Sequence, residues 1–176
     1  MRWCLFLLAL LTATASAERG VKVWQASDPA ITEGETTLVG DPADLYAACT
    51  SYAKWAEIFP DVQKVIVSDH KGTDAKVTLV APSGHRDNLA FHATPAARMI
   101  YFEDTGNSHA EIWGEIVLAP GDAERTTKLH IRLFAKAKGV ARLVVDGDAV
   151  KKTREQKLER QLSHVKGYFA RVASQR

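Results

Sequence analysis

The chain has 176 residues, of which 46% are hydrophobic and 25% charged, the make-up of one globular domain able to bury a full core. The formal net charge of +2 falls close to zero once a leader containing Arg2 is removed, so there is no electrostatic case for nucleic-acid binding. Two cysteines, Cys4 and Cys49, exclude a disulfide framework.

The first seventeen residues, MRWCLFLLALLTATASA, combine a basic Arg2, an apolar run from Trp3 to Leu11 and the small-residue site Ala15-Ser16-Ala17. This pattern predicts a secretory signal peptide over 1–17, cleaved before Glu18, and hence a periplasmic or secreted protein. The apolar run is about half of the roughly 20 residues that a membrane span requires. Cys4 precedes that run, so lipidation is not expected, and its removal leaves Cys49 without an internal partner. Residues 18–30 form an N-terminal segment in which Val21, Val23 and Trp24 are expected to dock on a sheet in extended form before Asp28-Pro29. The main domain is expected over 31–176.

Residues 31–39 read as a strand despite Gly34, and Gly40-Asp41-Pro42 turns the chain. Asp41 is placed to cap a helix that starts at Pro42 and carries a stripe of Leu45, Ala48, Cys49 and Tyr52. Cys49 on this stripe reads as a buried, inert thiol. A second short helix bears Trp55, Ile58 and Phe59 until Pro60 stops it. Strand patterns follow at 62–68 and 75–81, joined at the tip 69–73, then at 86–93, 99–104, 110–119 and 126–135.

Alternation sets the inward residues of these strands. Leu89, Phe91 and Ala93 share one face, as do Ile100 and Phe102, then Ile112, Gly114, Ile116 and Leu118, then Leu129, Ile131 and Leu133. Opposite charges would meet if Glu115 paired with Lys128 and Glu111 with Arg132, with Trp113 opposite His130 and Tyr101 beside Trp113 on the outer face. A last helix is expected over 140–172, with its stripe at Leu158, Leu162, Val165, Phe169 and Val172.

The turn Gly40-Asp41-Pro42-Ala43-Asp44-Leu45, the aromatic break at Tyr52 and Trp55, and Phe59-Pro60 two residues before Val62 make the chain resemble the START-like, polyketide-cyclase-like (SRPBCC) superfamily. The likeness covers roughly residues 31–172 and rests on spacings, with no catalytic signature. It implies the helix-grip fold: an α+β domain whose curved antiparallel sheet wraps around a long C-terminal helix, with two short helices after the first strand. In that superfamily the sheet and helix enclose a cavity.

The sequence has no phosphate-binding glycine loop, no metal-spaced histidines and no nucleophile elbow, so neither a metal, a cofactor nor a catalytic residue is expected. His70, His85, His109 and His164 read as solvated, and His92 and His130 as outward-facing. Arg86 and Asp87 read as a surface pair, and the strand-end carboxylates Asp87 and Asp104 as lying off the pocket wall.

Two functions compete. One is a carrier holding a lipid or other hydrophobic small molecule against Trp55, Phe59, Phe91, Phe102, Ile112, Ile116, Leu129, Ile131, Leu133 and Leu158, with inward Gly114 leaving the interior hollow. The other is a cyclase- or aromatase-like enzyme working in the same cavity. A dimeric interaction module using Tyr101, Trp113 and His130 is a third reading. On the helix, Val140, Val144, Gly147, Lys151 and Arg154 continue the inward line. Lys151 and Arg154 are therefore expected to bind a polar or anionic head group, with Gly147 leaving room beside them. Lys152, Lys157, Arg160 and Lys166 lie off that line, as a basic face suited to transient contact with an anionic membrane.

Overall fold

Asp41 caps the first helix as its place before Pro42 dictates: its carboxylate accepts the Ala43 N–H at 2.8 Å, and α1 runs over Pro42–Thr50. A 3-10 turn, Tyr52–Lys54, and the one-turn helix α2, Trp55–Ile58, follow. The Trp55 indole N–H donates to the Cys49 carbonyl at 2.7 Å, which satisfies a carbonyl at the end of α1 and fixes the bend between the helices. The computed structural model describes residues 20–106, 110–137 and 148–175, side chains of 148–150 excepted. The leader 1–17, residues 18–19, His109, Val140, Val144 and Gly147 lie outside the described residues.

Eight strands are described: β1 (Val21–Gln25), β2 (Ile31–Val39), β3 (Lys64–Lys71), β4 (Asp74–Val80), β5 (Arg86–Thr94), β6 (Met99–Asp104), β7 (Ala110–Pro120) and β8 (Thr126–Ala137). They form a single antiparallel sheet in the order β1-β2-β8-β7-β6-β5-β4-β3. α1 and α2 carry the chain from β2 to the far edge at β3, and the meander returns it to β8 beside β2. The long helix α3, Asp148–Ser174, lies across β1 and β2. This is the expected α+β helix-grip architecture.

The helix stripe is buried as its spacing predicts at Leu158 and Leu162, both at 0% exposure, and at Val165 and Phe169, whereas Val172 in the last turn is half-buried. Each buried side chain of the stripe stabilises the docking by about 1.5–3 kcal/mol. Gly34 lets the helix come this near. A Cβ at that position would sit 2.6 Å from Leu162 Cδ1 and 3.0 Å from Leu158 Cδ2, which explains a glycine inside a strand.

The inward faces are as alternation predicts, but the β7–β8 register is not. Glu115 faces Arg132, Trp113 faces Phe134, Glu111 faces Lys136, and His130 faces Val117. The expected pairing centres the turn on Gly121-Asp122, whereas the observed one centres it on Ala123-Glu124. Thr126 closes that loop by donating from its hydroxyl to the Ala123 carbonyl at 2.6 Å, with Arg125 at φ 55°. Both registers keep the same residues inside and both set acid against base, so neither pattern discriminates between them.

Tyr101 and Trp113 are diagonal neighbours on the outer face, with ring centroids 6.2 Å apart. His70, expected in a loop tip, is in β3 and meets the edge of the Tyr52 ring at 5.9 Å.

Candidate functional site

A cavity of about 320 Å³ lies between the inner face of the sheet and α3, bounded at one end by α2. That volume is at the lower end of small-molecule sites. Each strand contributes by alternation: Leu79 from β4, Leu89 from β5, Phe102 from β6, Ile112 and Ile116 from β7, and Ile131 and Leu133 from β8. Trp55 and Phe59 come from the α2 segment, with ring centroids 4.7 Å apart, and Leu158 comes from α3.

The structure thus brings Trp55, Phe59, Phe102, Ile112, Ile116, Ile131, Leu133, Arg154 and Leu158 to one wall. Four other candidates are elsewhere. Phe91, 2% exposed, packs into an aromatic cluster with Tyr52 at 4.7 Å and Trp55 at 5.0 Å. Leu129 is sealed in the core opposite Leu118. Lys151 is half-buried and does not line the cavity.

Gly114 is inward, as expected, but leaves no hollow. It faces Phe102 across β6–β7, and a Cβ there would clash with Phe102 Cζ and lie 2.9 Å from Leu133 Cδ2. The missing side chain makes room for the Phe102 ring.

Polar residues occupy parts of the wall expected to be apolar. Asp87 and Asp104, read as lying off the pocket, both line it. Asp87 shares the inward parity of Leu89, and Asp104, that of Phe102. Because Leu89 pairs with Asp104, the two carboxylates sit diagonally on neighbouring strands at one end of the sheet. Asp87 Oδ1 is 3.0 Å from His85 Nε2, and Asp104 Oδ1 accepts the Gly106 N–H at 2.8 Å. Lys157 and Gln161 of α3 also reach this cavity, although Lys157 was placed on the outer face.

These residues mark the mouth. Val62, Leu79, Asp87, Lys157 and Gln161 also border an open basin of about 640 Å³, which Asp61 and Arg160 flank. Arg160 donates to both oxygens of Asp61, at 2.7 and 2.9 Å, tying α3 to the segment after α2.

Arg154 has a different task from the one its inward line suggests. Its guanidinium donates to the carbonyls of Ala135 at 2.9 Å, Pro29 at 3.1 Å and Ala30 at 3.4 Å. It therefore clamps α3 to the β1–β2 turn and the end of β8.

On the outer face an open groove of about 400 Å³ is bordered by charged side chains, among them Asp74 and His92, 2.6 Å apart. Tyr101 borders it too, its phenol pushed up by burial and by Glu103. His130 is outward and half-buried, stacked on Trp24 at 5.8 Å and 3.3 Å from Glu33. Burial pushes the Cys49 thiol up to about 12, so it is protonated and inert at neutral pH. Among the described residues no cluster of three or more His, Cys, Asp or Glu could hold a metal, and no helix is long and apolar enough to cross a membrane.

Solved structures share this arrangement of sheet and helices. A START superfamily protein from Mycobacterium smegmatis superposes with a TM-score of 0.65 at 13% identity, over 81% of this chain and 98% of that one. The fold is the START-like helix grip. The Zhui aromatase/cyclase from Streptomyces sp. R1128 gives a TM-score of 0.64 at 17% identity, over 80% of this chain and 92% of that one. Against the di-domain ARO/CYC BexL from the BE-7585A biosynthetic pathway the TM-score is 0.66 at 18% identity, over 78% of this chain and 45% of that protein, so the helix-grip chain spans less than half of it. No family model and no curated protein matches the sequence.

Proposed function

We propose that this protein binds a lipid or other hydrophobic small molecule inside the helix grip and acts as a carrier, exported after cleavage near Ala17. The observation that carries the reading is the cavity itself: aromatic and aliphatic side chains from five strands, α2 and α3 surround a space of ligand size. The leader pattern MRWCLFLLALLTATASA supports export, and an intact mass beginning at Glu18 tests it. A chain still starting at Met1, or acylated, overturns that part.

Native mass spectrometry of the protein purified from its own cells, followed by extraction, tests the carrier reading. A stoichiometric apolar adduct is expected, and a ligand-free mass that no hydrophobic probe alters would contradict it.

A polar head would meet Lys157 and Gln161 at the mouth more readily than Lys151, and Arg154 is engaged in holding the helix. The exposed Lys152 and Arg160, with Lys157 at the mouth, make this side of α3 basic, and contact with an anionic membrane would draw on it. Neutralising Lys152, which does not line the cavity, should weaken association with anionic vesicles alone.

One observation favours an enzyme instead: Asp87 and Asp104 line the apolar cavity, where a carboxylate can move protons. Two structural neighbours are named as aromatase/cyclase proteins, which fits that reading. Asp87→Asn and Asp104→Asn decide between the two. A carrier keeps its ligand and its physiological role in both variants, whereas an enzyme keeps the ligand and loses the role.

A further inference from the structure

Three threonines are buried under the helix grip, and two have partners. The Thr36 hydroxyl donates to the Gly20 carbonyl at 3.1 Å and that of Thr127 to the Gly40 carbonyl at 2.8 Å. Thr32, 1% exposed, has none, and it lines the inner cavity. Arg154 lines the same cavity, and its Nε is buried without a partner although its terminal nitrogens are all directed to carbonyls nearby. Among the described residues these are the two buried side-chain polar atoms without a partner whose residues form the cavity wall.

They belong to one end of the β2–β8 pair. Thr32 pairs with Leu133, and two residues along, Ala135 donates to the Ala30 carbonyl, where the Arg154 clamp closes. A buried donor left unmade is costly, and the four other buried polar atoms without a hydrogen bond, on Gln25, Tyr46, Tyr52 and Arg132, belong to residues that do not line this cavity. Arg154 Nε can only donate, and the Thr32 hydroxyl can donate as well.

We infer that the cavity's ligand carries a hydrogen-bond-accepting oxygen on its apolar frame, received by Thr32 and Arg154. This rests on the cavity being a ligand site, and it adds the ligand's class: an oxygenated hydrophobe such as a ketone, in place of a plain hydrocarbon. The acceptor sits against the wall under α3, apart from any head group at the Lys157 mouth.

The test uses two probes of matched shape, 2-acetylnaphthalene, which has the acceptor, and 2-isopropenylnaphthalene, which lacks it, titrated by naphthalene fluorescence. The wild-type protein should bind the ketone about tenfold more tightly, the difference of one well-placed buried hydrogen bond. Thr32→Val should bring the ketone down to the alkene's affinity, leaving the alkene unchanged, and Thr32→Ser should restore it. Arg154→Lys, which removes the Nε donor together with part of the carbonyl clamp, should weaken the ketone more than the alkene. Equal binding of both probes to the wild type, or equal loss of both in Thr32→Val, overturns the inference while the cavity reading stands. Binding of neither probe removes both. Should Thr32→Val not fold, the wild-type comparison and Arg154→Lys decide.

Discussion

Phe102 lies directly across β6–β7 from Gly114, and its ring fills the place where a side chain at Gly114 would be. Gly114→Ala should therefore strain a packed contact, with a stability loss of about 1–3 kcal/mol in denaturant unfolding. Phe102→Leu in the same chain should recover most of that loss, giving a positive coupling between the two sites. A Gly114→Ala protein as stable as the wild type would show that the ring swings freely into the cavity.

Arg154 should matter to stability more than its half-exposed position suggests. Arg154→Ala removes charge-assisted hydrogen bonds to the carbonyls of Pro29, Ala30 and Ala135 and should cost about 1.5–3 kcal/mol. Lys157→Ala, at the mouth, should change stability by no more than about 0.5 kcal/mol. Equal effects in urea unfolding would remove the clamp from the account.

Alkaline pH should unfold the protein through the α1 end of the core. Burial pushes Cys49 from near 9 to about 12, and Tyr52 from 10 to about 12, the latter helped by Tyr46, Asp74 and Cys49. Both folded values exceed the unfolded ones, so their neutral forms contribute stability that is fully present below about pH 9 and is lost as pH rises towards 12. Unfolding midpoints taken from pH 8 to 11 should fall over that window, and less steeply in Cys49→Ala. At pH 8 a disulfide reagent should leave Cys49 of the folded protein unmodified, and rapid modification would contradict its burial.

The fold was legible because its signals are local and agree with one another. Asp41 before Pro42 places α1, alternation along the strands selects Phe102, Ile116 and Ile131, and the 3.6-residue stripe selects Leu158 and Leu162. The β7–β8 pairing was misread. Register depends on the loop from Gly121 to Arg125, and neither face parity nor charge pairing senses a displacement by an even number of residues.

The polar part of the site was present in the same alternation that found its apolar part. Asp87 precedes Leu89 by two residues, Asp104 follows Phe102 by two, and Thr32 precedes Gly34 by two, so each is inward by parity alone. Reading the inward face as apolar throughout hid them. Arg154 was placed on the correct helical line, but the carbonyls that hold it come from the β1–β2 turn and β8, a tertiary meeting that no spacing reveals. Gly114 looked like open space because a sequence does not say which neighbouring ring leans over a glycine.

If an apolar molecule occupies the space between the sheet and α3, a Nile red titration of the folded protein and of Ile112→Trp will show it. Ile112 lines the cavity, is half-buried and faces Ala135, so an indole there should enter the void with the fold preserved by circular dichroism. Saturable dye binding is expected for the wild type, weakened at least about tenfold in the variant, since the indole and the dye compete for one volume near the lower limit of ligand sites. Dye binding of equal affinity in both proteins would place the hydrophobic site elsewhere and contradict the account.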